Sequence, residues 1–199
     1  MRIAPGASMR SACILVRIVV YALLLAAAPA VASPDGDFDV QVQFVGDEIR
    51  ADISLFVAAP QQRVWEVLTD YERAPQFTRD LQVSRIVGRS GDVVRLFQKA
   101  QFRYGPFVLP VESLKEIRLI APWRTESRLV SGSMRRHDST TELIPENGGT
   151  RIRVRSVAVP TSSLVTMAGE GVVRRETEDH FRQLRAEILR RAHVASSTP

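Results

Sequence analysis

The chain has almost no cysteine. Its one thiol, Cys13, sits in an N-terminal stretch that reads as a leader, with no lipobox-like context after the apolar core. Without that leader no disulfide can form and no thiol nucleophile is available, and folding in an oxidising compartment carries no risk of mispairing. Histidine is nearly as scarce. His137, His180 and His193 fall on an expected strand, on a charged helix and near the tail, a spacing that builds no metal site. No glycine-rich loop follows a strand and opens a helix, and no nucleophile elbow is present, so neither a nucleotide site nor a bound cofactor is expected. An excess of charge is missing too. The formal charge of +5 includes Arg2, Arg10 and Arg17; 27 Lys and Arg less those three leaves 24 against 22 acids. Phosphate-tracking surfaces need concentrated cations, so no nucleic-acid partner is expected.

Those three arginines precede an apolar run from Ile18 to Ala28, followed by the small-residue pattern Ala30-Val31-Ala32. This is the order of an export leader, and the run is shorter than the roughly 20 residues that span a bilayer. Residues 1–32 are therefore expected to be a signal peptide cleaved after Ala32, which places the protein in the periplasm or outside the cell. A retained membrane anchor is the alternative. Residues 33–37 then form a polar linker, 38–194 a single ligand-binding domain and 195–199 a disordered tail.

Within the domain the hydrophobic period changes twice. Phe38 to Val45 and Glu48 to Val57 alternate around Gly46-Asp47, as a β-hairpin does. After Pro60, which suits the first turn of a helix, Val64, Trp65, Val67 and Leu68 form a helical stripe, with Trp65 expected in the core. A second helical piece is expected at Ala74 to Phe77, with Asp70 and Tyr71 as the turn between. Six strand-like runs follow: Leu81 to Val87, Val93 to Tyr104, Phe107 to Ile120, Arg124 to Val130, Met134 to Ile144 and Thr150 to Val159. The chain ends in an amphipathic helix over Ser162 to Ala192. Its apolar face is Thr177, Phe181, Leu184, Ile188 and Ala192; Arg174 with Glu178, Arg175 with Asp179 and Glu178 with Arg182 line the wet face. An unbroken helix there would outrun a domain of this size, so a break is expected at Gly169 and Gly171, leaving Leu164, Val165, Met167 and Ala168 as a gate. A long meander with few helices covers both its faces only by curling, so the fold class is α+β, a strongly curved antiparallel sheet around the terminal helix with a hollow between.

Val57-x-x-Pro60-x-x-x-Val64-Trp65-x-x-Leu68-x-Asp70-Tyr71, then Phe77, Gly132-x-Met134-Arg135 and Gly149-Thr150-Arg151 before a strand ending in Pro160, resembles the START-like superfamily. Within it the pattern is most similar to the polyketide cyclase/dehydrase and coenzyme Q-binding group. The resemblance spans Phe38 to Ala192 and implies a helix-grip fold, with two short helices after the first strands and a cavity for a hydrophobic small molecule such as a lipid, an isoprenoid quinone or an aromatic polyketide.

Strand parity nominates the ligand contacts. Arg135, His137, Ser139, Thr141 and Leu143 are expected on one side of their strand, a more polar wall than that group usually shows there. Leu96, Gln98, Phe102 and Tyr104 share a face of another strand, Gln98 being the polar member that a ligand or a neighbouring side chain must satisfy. Phe181, with Leu164, Met167 and Ala168, completes the expected ligand-binding set. The leading expectation is a carrier. A cyclase or dehydratase is the second, with His137 as base, kept neutral by a nearby Arg135 that stabilises an oxyanion. A module touching membrane surfaces or proteins through the alternating Arg151, Arg153 and Arg155 is the third.

Overall fold

A computed structural model describes residues 38–104, 106–161 and 163–196. The expected signal peptide, the linker and residues 197–199 lie outside the described residues, as do the side chains of Tyr104 and Leu164.

Eight strands form one antiparallel, curved sheet in the order β1-β2-β8-β7-β6-β5-β4-β3. They are β1 (Phe38–Val45), β2 (Glu48–Val57), β3 (Leu81–Ser90), β4 (Val93–Tyr104), β5 (Phe107–Ile120), β6 (Arg124–Gly132), β7 (Met134–Glu146) and β8 (Gly149–Pro160). All the expected strands are present, several of them longer than expected, β3 running to Ser90, β6 to Gly132 and β7 to Glu146, and a helical insertion follows β2. That insertion holds α1 (Gln61–Leu68) and a 3-10 helix, Tyr71–Gln76. The latter begins three residues before the expected piece at Ala74 and has Pro75 inside it. Pro60 is the N-cap of α1, one residue outside the expected first turn, and its extended backbone aims the chain out of β2. Behind it the buried Thr150 hydroxyl donates to the Ala59 carbonyl at 2.8 Å. A side chain on Gly149 would strike the Val57 carbonyl, so this crossing needs glycine.

The terminal helix divides where the two glycines predicted a break. Gly169 has φ +82°, a left-handed value that ends α2 (Ser163–Ala168), whereas Gly171 lies within α3 (Glu170–Ser196). At 27 residues, α3 is roughly 40 Å long at 1.5 Å per residue. It runs past Ala192 into the stretch expected as tail. Its first turn is tied to β1 by the Phe44 amide, which donates to the Glu170 carboxylate at 2.8 Å. On its wet face Arg182 pairs with both Glu178 and Asp179 at 2.9 Å.

Packing is uneven across the sheet. Ile53, Leu55 and Val57 of β2 and Ile152 and Val154 of β8 meet Val64, Trp65 and Val67 of α1 and Phe181, Leu184 and Ile188 of α3 in one apolar cluster. Leu55, Val57, Val64, Ile152 and Ile188 are wholly buried. The core thus sits under β1, β2 and β8. Under β3 to β7 the inward row changes to Gln98, Lys115, Ser127, Ser139 and Thr141, and the helix stands away from the sheet.

Candidate functional site

Two chambers open between α3 and strands β3 to β7. The outer one, about 390 Å³, is walled by Ala100, Phe102 and Val111 of the sheet, Met134 of β7 and Val173 and Thr177 of α3, with Asp80 and Glu176 at its rim. The inner one, about 190 Å³, reaches the core at Val67, Leu96 and Leu184 and carries Tyr71, Lys115, Thr125, Ser127, Ser139 and Thr141. Thr78, Leu81, Gln98 and His180 belong to both walls, so the chambers adjoin. The outer volume lies in the roughly 300–1,000 Å³ range of small-molecule sites.

The site contains only part of the expected set. Leu96 is buried at the inner floor, Thr141 lines the inner wall and Phe102 the outer. Gln98 faces both chambers, and its amide donates to the Ser84 hydroxyl at 3.3 Å, so a neighbouring side chain satisfies part of it. Phe181 belongs to the core cluster and lines neither chamber. Met167 is 69 % exposed on α2, and neither it nor Ala168 reaches a chamber wall. Val173, Glu176 and Thr177 of α3 line the outer chamber on the helix side.

Arg135 does not face inward as its strand parity predicts. The β7–β8 register slips between Met134 and Arg136, so Arg135 is the extra residue of a bulge. The inward row consequently reads Met134, His137, Ser139, Thr141 and Leu143. Arg135 stands at the surface, where its guanidinium pairs with Asp47 at 2.7 Å. His137 keeps its inward parity but lines neither chamber. Burial, then the charge of Lys115, pushes its pKa down to about 4, with Asp138 opposing. The imidazole is neutral as expected, but for a different reason: Arg135 plays no part. The basic stripe on β8 also meets acids, Arg151 with Glu146 at 2.6 Å and Arg155 with Asp52 at 3.8 Å.

Lys115, His180 and Tyr71 are among the chamber residues that escaped the sequence reading. Lys115 pairs in register with Leu96 on one side and Leu129 on the other, so it points inward from between two leucines. Burial lowers its pKa to about 8. His180 turns from α3 into both chambers, where its side chain stays exposed; partial loss of water, followed by the Lys115 charge, lowers its pKa. Tyr71, expected only in a turn, lines the inner chamber, where burial raises its phenol above the usual value despite Arg89. The signals were present. Lys115 shares parity with Val111, Ile117 and Leu119, and His180 lies between Thr177 and Leu184 at helical spacing.

Among the described residues no hydrogen bond joins His180, His137 or Lys115 to a chamber hydroxyl that could serve as a nucleophile, and no group of three His, Cys, Asp or Glu could hold a metal ion. No described helix is long and apolar enough to cross a membrane.

Comparison with known proteins adds to this geometry. Residues 57–185 match the profile of the family described as polyketide cyclase / dehydrase and lipid transport. No curated protein matches the chain. Among solved structures, a protein of Thermus thermophilus is similar at TM-score 0.61 with 22% identity, covering 76% of this chain and 99% of that one. The Zhui aromatase/cyclase of a Streptomyces species is similar at 0.65 and 14%, covering 76% and 99%. The STAR-related lipid transfer protein of Xanthomonas axonopodis is similar at 0.60 and 12%, covering 76% and 98%. At these identities the three structures speak for the fold, which is the START-like helix grip.

Proposed function

The chain belongs to the polyketide cyclase/dehydrase and lipid transport family, and from that premise we propose that it is an exported protein that binds and carries a hydrophobic or amphipathic small molecule. The observation that carries the proposal is the pair of adjoining chambers, apolar in the outer part and without an assembled catalytic pair among the described residues. Export is supported by the arginine-flanked apolar run and the Ala30-Val31-Ala32 pattern. Phe107, 54 % exposed at the tip between β4 and β5, with Val108 beside it, supports brief contact with a membrane during loading.

A cyclase-type activity is the second reading, favoured by His180, a neutral imidazole facing both chambers. One experiment addresses both. The protein is isolated from its native host, and bound small molecules are detected by native mass spectrometry and organic extraction. The expected result is one apolar or amphipathic class, returned at unchanged mass and chromatographic retention after incubation with fresh protein. Loss of water, or a product of the same mass with altered retention, supports the cyclase, and an empty protein that takes up nothing from a membrane extract overturns both readings.

A further inference from the structure

We propose that the inner chamber is a carboxylate anchor, and that the ligand is a long-chain monocarboxylate held head inward against Lys115 with its apolar chain in the outer chamber. The inference rests on the carrier reading and specifies the ligand's polar end.

A lysine between Leu96 and Leu129 on an inward strand face needs a reason, because an amine in that position loses its water. The inner wall offers no compensating acid: none of its residues is Asp or Glu. It offers donors in their place. The hydroxyls of Thr125, Ser127, Ser139 and Thr141, the Tyr71 phenol and the His180 ring surround the space that the amine faces. One ammonium and a set of neutral donors is the complement of a single negative charge with several lone pairs. His180 and His137, both held neutral, leave Lys115 as the cation of this cluster.

The rim argues for the direction of entry. Asp80 and Glu176 stand at the outer chamber; Asp80 pairs with Arg103 at 3.1 Å and with Arg79 at 3.8 Å, while burial, then Asp80 and Asp179, raise the Glu176 carboxyl above its ordinary range against the opposing charges of Arg79 and Arg103. An anionic head left at that mouth would add charge beside a carboxyl that already resists its own. Between mouth and anchor lie Phe102, Val111, Met134 and Val173, which suit a hydrocarbon chain.

The test titrates the full chain with dodecanoate and with dodecanol by calorimetry at pH 7. A hydrogen bond to a charged group contributes about 1.5–3 kcal/mol, so dodecanoate should bind at least about tenfold more tightly. In Lys115→Met the two should bind alike, at the affinity of the wild type for dodecanol, which also shows that the variant is folded. The wild type supplies a reading independent of any variant. Between pH 7 and 9.5 the amine loses its proton, its pKa lying at about 8, while His137 and His180 stay neutral and the raised Tyr71 stays protonated. The preference for dodecanoate should fall at least about tenfold over that interval. Equal binding of acid and alcohol at pH 7, or a preference unchanged at pH 9.5 or in the variant, overturns the anchor and leaves the carrier standing. Failure of both probes to bind removes the carrier reading and the anchor with it.

Discussion

Lys115 puts a cost into the folded state that the unfolded chain does not carry. Its folded pKa, about 8, lies below the ordinary 10.5, so below pH 8 the fold holds a charged amine in a dry place. Between about pH 8 and 10.5 the folded chain sheds that proton while the unfolded chain keeps it, and stability should rise with pH. Lys115→Met should accordingly stabilise the ligand-free protein at pH 7 by on the order of 1–3 kcal/mol, the usual scale for a buried polar group without a partner. The gain should shrink toward pH 10. Guanidinium unfolding of both proteins at the two pH values measures it, and a constant difference would mean that the amine is solvated. At the same scale Arg135 shows how one inserted residue redirects a side chain: the bulge sends it to Asp47 and leaves its inward place to Met134.

Among the elements, α3 does most of the assembling, and a charged network holds it in place. Glu187, almost buried, accepts from Arg190 at 2.7 Å and from Arg191 at 2.6 Å, while Arg191 reaches on to Asp70 at 2.7 Å beyond the end of α1. The hydrogen bond from Arg190, ahead of that from Arg191, brings the Glu187 carboxyl down to about pKa 2. A depressed carboxylate stabilises fully above its ordinary 4.5, and the contribution is lost as pH falls through about 2. Glu187→Gln should therefore lower the melting temperature at pH 7 and converge on the wild type near pH 2. Equal melting temperatures at pH 7 would place the network among ornamental surface pairs. Arg191→Met should cost roughly 2 kcal/mol by removing hydrogen bonds to two carboxylates. Asp70 thus holds two elements together, a role that its place in an apparent turn did not reveal.

At the scale of the molecule, one sheet performs two tasks. Under β1, β2 and β8 it packs a dry core, and under β3 to β7 it stands off the helix and leaves the chambers. Substitutions should divide the same way. Ile152→Ala, in the packed half, is expected to cost about 2–5 kcal/mol, whereas Val111→Ala, in the hollow half, should change ligand affinity with little effect on the denaturation midpoint. Comparable midpoint losses at both sites would contradict the division. The leader belongs to this scale as well. If residues 1–32 direct export, the protein recovered from the periplasmic fraction should begin at Ser33, and an intact N-terminus in the membrane fraction would favour a retained anchor.

The eight strands, the helix after Pro60 and the break at Gly169 were legible because each follows from local rules: period two, period 3.6, and residues suited to turns and left-handed backbone. Gln98, Leu96, Thr141 and Phe102 were legible for the same reason, since parity tells which side of a strand a residue takes. Parity does not tell what stands across from that side. Only the curvature of the sheet decided that Leu143 would meet the core while Ser139 would meet a void, and only the register of β7 against β8 decided that Arg135 would leave the row. Lys115 and His180 come from strand and helix positions 65 residues apart, and no local period relates them. Backbone periodicity is set by neighbours in the chain, so the sequence by itself determined the elements and their apolar faces; a cavity is set by distances between elements, and the tertiary structure alone decided which inward residues became its walls.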